Sequence, residues 1–444
     1  MSTQGNLDPL SYHPSLCRPA EQEFVMTVVY PRCGGLDVHK KQVSACRIWQ
    51  DGSGQQHVEE TTFDTHTRAL RHLAEWLAQR DVRDVALEAT GPYWRPVWNI
   101  LESCGLRLTL ANPAHIRAIP GHKTDRRDAR WIADLHQHGL IPPSFVPNSA
   151  QRQLRDVTRM RTKVVQDRGR VVTRLQAVLE DANIKLASVV SDVMGVSAQA
   201  MVRGLIGGRA KPAQLAELAF GSLRRKRPQL ALALEGNFTP EHGFLAHRLL
   251  IQERMLRQQE RALEREITRL LDDRQKAVIA LWDTIPGVNQ TLAAVLVAEL
   301  GTHAEQFPDA AHAASWVGIC PGNHESAGKR KSGKTRKGNR WLRVALVEAA
   351  WAATHSQGTY LAALYARLVG RKGEKRALVA VAHAILVAAY QMLRTNQPYR
   401  DPGPDYFDRL RPKHSVKRLV DRLSRLGYRV DLSPLADRQL ADLQ

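Results

Sequence analysis

The chain has 444 residues, enough for two or three domains, each with its own core. Lys and Arg total 64 against 44 Asp and Glu, a formal charge of +20 that favours a polyanionic partner, because each phosphate contact releases condensed counterions. The 5 cysteines lack C-x-x-C spacing and the 17 histidines show no paired Cys/His pattern, which argues against a disulfide framework and a zinc finger and for a reducing compartment.

A highly charged surface is the plainer explanation of the excess, but the positive charge is clustered, which favours nucleic acid. Residues 1–30 read as a flexible extension. They are polar and Pro-containing, with no secretion signal, so a cytoplasmic location is expected.

Residues 31–145 alternate between strand and helix patterns. Apolar positions alternate through 35–48 (GLDVHKKQVSACRI), predicting two strands about a turn at Lys40–Lys41, with a third at 57–63. Leu70, Leu73, Trp76 and Leu77 have the spacing of one helix face, so 66–79 is predicted helical. A buried strand over 82–88 ends at Glu88. A helix at 94–104, a strand at 106–111 and a helix at 124–138 follow. A meander followed by alternating helices and strands predicts an α/β domain with a mixed, RNase-H-like sheet.

Residues 150–275 are predicted nearly all helical. The first helix is basic, with Arg152, Arg155, Arg159, Arg161, Lys163, Arg168, Arg170 and Arg174, a candidate surface for RNA or DNA. Residues 247–271 form a long amphipathic helix, either a coiled-coil arm or a helix packed within the chain. A third region, 280–396, opens on a turn at Pro286–Gly287 and an Ala-rich helix closed by Gly301. This resembles a helix-hairpin-helix unit, whose turn can offer backbone N–H groups to a phosphate; an ordinary helix start is the alternative. Ala-rich helices at 341–354 and 376–394 complete a mainly helical domain. The apolar run 377–393 is short for a membrane span and carries His383, so a buried helix and no membrane partner are expected. Residues 397–444 form a basic tail.

Four acids stand out. Phosphodiester chemistry uses two metal ions about 3.5–4 Å apart, and magnesium prefers hard carboxylate oxygens. Asp37 lies within a strand, in Gly-Leu-Asp-Val. Glu88 ends a buried strand, where a carboxylate is unfavourable unless paired or metal-bound. Asp125 and Asp128, in HKTDRRDAR, are three apart and share one helix face. Taken alone, that last pair is better explained by stabilisation of a helix N-terminus. A first strand, a later strand and a following helix can bring all four to one edge of the sheet. Lys123, Arg126 and Arg127 beside them suit a neighbouring phosphate.

A second cluster lies at 321–342, PGNHESAGKRKSGKTRKGNRWL. Lys329, Arg330, Lys331, Lys334, Lys337, Arg340 and the adjoining Arg343 suit a phosphate backbone, and the glycines suit a wrapping loop. A serine among such cations can attack phosphorus, although serine in a Gly-rich loop is ordinarily structural.

GLDVHKK, ALEATGPYW and HKTDRRDA resemble the three acidic motifs of the DEDD transposases of bacterial insertion sequences, the one-ten family. Their catalytic domain is similar to that of RuvC-type Holliday-junction resolvases. The resemblance implies that Asp37, Glu88, Asp125 and Asp128 hold Mg2+ or Mn2+. It extends to 280–395, with the G-N-x-x-L-R element at 338–343, and implies a nucleophilic serine, Ser326. Relatives often have glycine directly after that serine; here Ala327 intervenes before Gly328, which leaves Ser332 as the alternative. The implied activity is DNA strand exchange at element ends and target through a phosphoserine intermediate. A homo-oligomer, dimer or tetramer, and an element-encoded guide RNA are implied too. Two other functions fit parts of the sequence: a junction-resolving nuclease that uses water, and a non-catalytic nucleic-acid-binding protein.

Overall fold

The computed structural model describes residues 27–89, 91–118, 128–208, 210–321, 324–326 and 329–433. The chain divides into two compact units at Pro147/Asn148.

The first unit is built on a six-stranded mixed sheet. Strands β1 (Arg32–Val38), β2 (Gln42–Gln50) and β3 (Gln56–Asp64) form an antiparallel meander, followed by α1 (Thr67–Ala78). Next come β4 (Asp84–Glu88), α2 (Trp94–Ser103), β5 (Arg107–Ala111), α3 (Pro113–Ala118), α4 (Asp128–Gln137) and the two-residue β6 (Pro143–Ser144). The sheet order is β3-β2-β1-β4-β5-β6, with β4 parallel to β1 and β5 parallel to β4. The predicted strands and helices are all present, with α3 and β6 added. The predicted helix at 124–138 is described from Asp128 onward.

Strand alternation splits the core between the two faces of the sheet. Leu36, Val38, Val85 and Leu87 pack with Leu70, Leu73 and Leu77 of α1 and Val97 and Leu101 of α2. Cys33 and Cys46 pack with Ala129 and Ala133 of α4 on the other face, and Ala86 and Ala111 with Ile132 and Leu135.

The second unit opens on α5 (Ser149–Asp181), whose N-cap Asn148 accepts the Gln151 amide at 2.9 Å. Short helices α6 (Leu186–Val189), α7 (Val196–Gly207), α8 (Pro212–Ala216) and α9 (Arg227–Ala233) cover its far end in one apolar cluster. Helix α10 (Pro240–Leu270) starts with Thr239 as cap and Pro240 in its first turn. It returns antiparallel to α5: Arg161 meets Glu260 and Glu264, and Asp181 meets His242. The long amphipathic helix is therefore packed within the chain.

A second cluster of the same unit joins α11 (Asp273–Trp282), α12 (Gln290–Leu300), α13 (Ala310–Val317), α14 (Arg340–Thr354), α15 (Tyr360–Lys372) and α16 (Glu374–Thr395). A two-stranded hairpin, β7 (His324–Ser326) and β8 (Lys329–Ser332), stands between α13 and α14 in sequence. Helix α16 has the length and apolar composition of a membrane span, yet its Val381, Ile385, Leu386 and Ala389 are core residues here. Helices α17 (Tyr406–Leu410) and α18 (Pro412–Arg425) follow.

Candidate active site

Strands β1 and β4 run parallel with Leu36 opposite Leu87. One residue further, Asp37 and Glu88 stand side by side at the carboxyl ends of both strands, where neighbouring backbones lie about 4.8 Å apart. Leu36 and Leu87 enter the core on the α1 and α2 face. Their successors therefore face the other side, where α4 packs.

Helix α4 runs against the direction of β1. The carbonyl of Gln137, its last residue, accepts the amides of Val29 and Tyr30 just before β1. At the other end, a Cβ on Gly35 would lie 2.3 Å from the Ala129 carbonyl and 2.3 Å from the Ala133 nitrogen. Gly35 is thus glycine because the helix backbone occupies that space. Asp37 is two residues on along the same face, and Asp128 is the first residue of α4. Three of the four predicted acids, Asp37, Glu88 and Asp128, consequently lie at one end of one face of the sheet. Asp125 lies outside the described residues, as do Lys123, Arg126 and Arg127. Among the described residues, no three metal-ligating side chains stand close enough to hold one ion.

Asp37 is 8 % exposed and is met by the His39 Nε2 at 2.9 Å. His39 escaped the sequence analysis, although strand alternation alone puts positions 37 and 39 on one side. Burial pushes the thiols of Cys33 and Cys46, on the α4 face, up to about 12. Thiolates are thereby disfavoured there, and the carboxylates are the donors that fit a hard divalent cation.

The segment expected to be a loop around the serines is a hairpin. Ser326 ends β7 and pairs with Lys329; Ser332 ends β8 and pairs with His324. Lys329, Arg330 and Lys331 lie on β8, and a bridge between Pro321 and Thr335 closes the hairpin's base. Beyond it the chain crosses the end of α13 at close range. A Cβ on Gly338 would lie 2.4 Å from the Val317 carbonyl oxygen, and Gly318, at φ +79°, has the Arg336 carbonyl against it. Asn339 then caps α14, accepting the amides of Trp341 and Leu342 at 3.1 Å each. These contacts give the G-N pair its physical meaning. Arg343, one turn into α14, donates to the Thr335 hydroxyl at 3.0 Å.

Beneath this crossing lies Glu299 of α12, its side chain 0 % exposed. Its carboxylate receives Arg159 in a two-pronged contact at 2.6 and 2.8 Å. It also accepts the Asn339 side-chain amide at 2.6 Å. Arg155 donates to the carbonyls of Ala298 and Glu299 at 2.7 and 2.6 Å. A buried carboxylate is tolerable only when satisfied in this way. The sequence analysis missed Glu299; a lone acid inside the apolar LAAVLVAEL run was its signal.

The same contacts narrow the view of α5 as a basic surface to Lys163, Arg170 and Arg174, which are exposed. Arg155 and Arg159 serve Glu299, Arg161 pairs with Glu260 and Glu264, and Arg168 with Glu253 and Glu260. Arg152 is buried. Those charges hold helices together. The Pro286–Gly287 turn also has a packing role. Ile285 and Val288 are buried beside it, and a Cβ on Gly287 would lie 2.3 Å from the Ala349 carbonyl of α14.

Residues 34–184 match the family model described as the IS110 DEDD transposase, and residues 280–366 match the transposase IS116/IS110/IS902 family. The first match spans all four acids and the second spans both serines. No curated protein matches the chain. Both matches define a transposase, an enzyme that recombines DNA. The chain belongs to the IS110 family of DEDD transposases, whose two models together match more than half of its length.

Proposed function

We propose that Asp37, Glu88, Asp125 and Asp128 hold divalent metal, magnesium or manganese, in an RNase-H-like (RuvC-like) domain that cuts and rejoins DNA to mobilise an insertion sequence. The observation that carries this is the register that sets Asp37 beside Glu88, with the start of α4 at the same end of the sheet. The antiparallel meander followed by strands parallel to β1 supports the RNase-H likeness. Bound metal supplies electrostatic stabilisation of the reacting phosphate and the leaving oxygen. His39 orients the Asp37 carboxylate, and Lys123, Arg126 and Arg127 flank the phosphate.

Ser326 is the nucleophile. Its Oγ forms a bond to phosphorus as one P–O bond of the DNA breaks, the serine proton leaving to solvent and the departing sugar oxygen taking one up. A hydroxyl of the partner strand reverses the exchange, so the phosphodiester count is conserved without ATP. Lys329, Arg330, Lys331, Lys334, Lys337, Arg340 and Arg343 line the strand's path. The resemblance to the family adds an element-encoded guide RNA and assembly as a dimer or tetramer.

The test is adduct trapping on DNA carrying an element end. Asp37→Asn and Glu88→Gln should each lower metal-dependent cleavage by at least about 100-fold, as loss of a transition-state charge contact does, while DNA binding persists. Unchanged cleavage removes the metal site. A protein–DNA adduct should form and vanish in Ser326→Ala. Loss in Ser332→Ala alone moves the role to Ser332. Cleavage without any adduct makes the enzyme a water-using nuclease.

A further inference from the structure

Between α5, the end of α13 and the start of α14 lies a hollow lined by Arg159, Trp316, Arg336, Lys337, Arg340 and Trp341. Three cations surround the Trp341 ring: Arg340 at 5.0 Å, Arg159 at 5.8 Å and Lys163 at 5.9 Å from its centre. The lining contains no carboxylate. Glu299, the nearest acid in the network below, is fully buried and already satisfied by Arg159 and Asn339. Among the described residues, Arg336, Lys337 and Arg340 form no ion pair.

Trp341 is not a core residue of α14. The buried stripe of that helix is Leu342, Ala345, Leu346, Ala349, Ala350 and Ala353. The indole lies off that stripe, half-buried, and its ring contacts are cations: Arg159 and Lys163 from α5 and its own neighbour Arg340. The ring quadrupole attracts the cations, but they repel one another, and an anion among them relieves that repulsion.

We propose that this hollow binds an unpaired nucleic-acid strand, its phosphates on Arg336, Lys337 and Arg340 and a base on Trp341. The inference rests on the nucleic-acid reading of the same segment under Proposed function and specifies its substrate form. A duplex backbone is held by cations and hydrogen-bond donors and needs no stacking platform. The Trp341 indole beside the cations matches the combination by which single strands are held, a basic groove with an aromatic platform for a base, while Trp316 packs on Phe307 and the core. The floor is rigid, because Arg159 is fixed by Glu299 and the turn into α14 by Asn339.

The experiment measures full-length protein binding to one labelled oligonucleotide, single-stranded and annealed to its complement, across a salt series. Trp341→Ala should weaken single-strand binding about 10- to 100-fold, the range for loss of one stacked base, with duplex affinity and salt slope unchanged. Trp341→Phe should retain most of the affinity, which separates stacking from misfolding; a thermal melt of both variants checks the fold. Lys337→Ala should reduce the single-strand salt slope by about 0.7. Equal losses on both forms, or unaltered single-strand binding by a folded Trp341→Ala protein, overturn the proposal. Wild-type protein that binds neither form overturns the nucleic-acid reading as well, whereas wild-type binding indifferent to Trp341 overturns this inference alone.

Discussion

Arginine does opposite work in two places a few ångströms apart. On α5, Arg155, Arg159, Arg161 and Arg168 point at carbonyls and carboxylates of α10 and α12. Between 336 and 340, Arg336, Lys337 and Arg340 face a hollow with no acid in its wall. By sequence both are basic patches, with eight Lys and Arg over 152–174 and eight over 329–343. What separates them is the neighbouring helix: α10 brings Glu253, Glu260 and Glu264 to α5 and nothing of the kind to the α13–α14 crossing. Charge density along the chain therefore locates cations, and only the facing residues tell whether they are available to a ligand.

The comparison can be broken most severely at Glu299. Glu299→Ala leaves Asn339 and the partly exposed Arg159 without their acceptor, which should destabilise the second unit by about 2–3 kcal/mol. A denaturant midpoint close to wild type would show that the network is incidental. Gly338→Ala changes no charge but places a methyl 2.4 Å from the Val317 carbonyl. It should cost about 1–3 kcal/mol and weaken nucleic-acid binding by displacing the cations that follow. Normal stability with normal binding would refute the close crossing.

Arg161→Ala sharpens the contrast from the other side. Its side chain is 17 % exposed and its removal leaves Glu260 with Arg168, so the expected loss is about 1 kcal/mol with no change in the salt slope of binding. A reduced slope would return α5 to the nucleic-acid surface. The smallest effect on stability belongs to Lys337→Ala, within about 0.5 kcal/mol, although binding should fall. Thermal melts beside binding isotherms would expose any exchange of these two roles.

Much of the first unit was legible. Period-two alternation around Asp37 and the apolar run into Glu88 define strands whatever surrounds them, and the helix face of α1 is written in four leucine and tryptophan positions. Asp37, Glu88 and Asp128 were legible as acids, and their common end of the sheet was an expectation that the β1–β4 register and the Gly35 contact give a geometry. His39 was missed because it lies one residue beyond the end of β1, although the period-two alternation that placed Asp37 extends to it. Glu299 was missed because its partners Arg159 and Asn339 are 140 and 40 residues away along the chain. The loop of basic residues was expected to be irregular, since its glycines favour turns; backbone pairing of β7 with β8 overrode that local preference.

What the sequence by itself determined is local: which stretches are strands or helices, which acids and serines recur in family motifs, and how much positive charge there is. Periodicity and motif are properties of neighbours along the chain, so no fold is needed to see them. Only the tertiary structure decided which cations are neutralised, why Gly35, Gly287 and Gly338 must lack side chains, and which acids share a sheet end. Those answers depend on atoms brought within a few ångströms by packing, and separation along the chain carries no information about such distances.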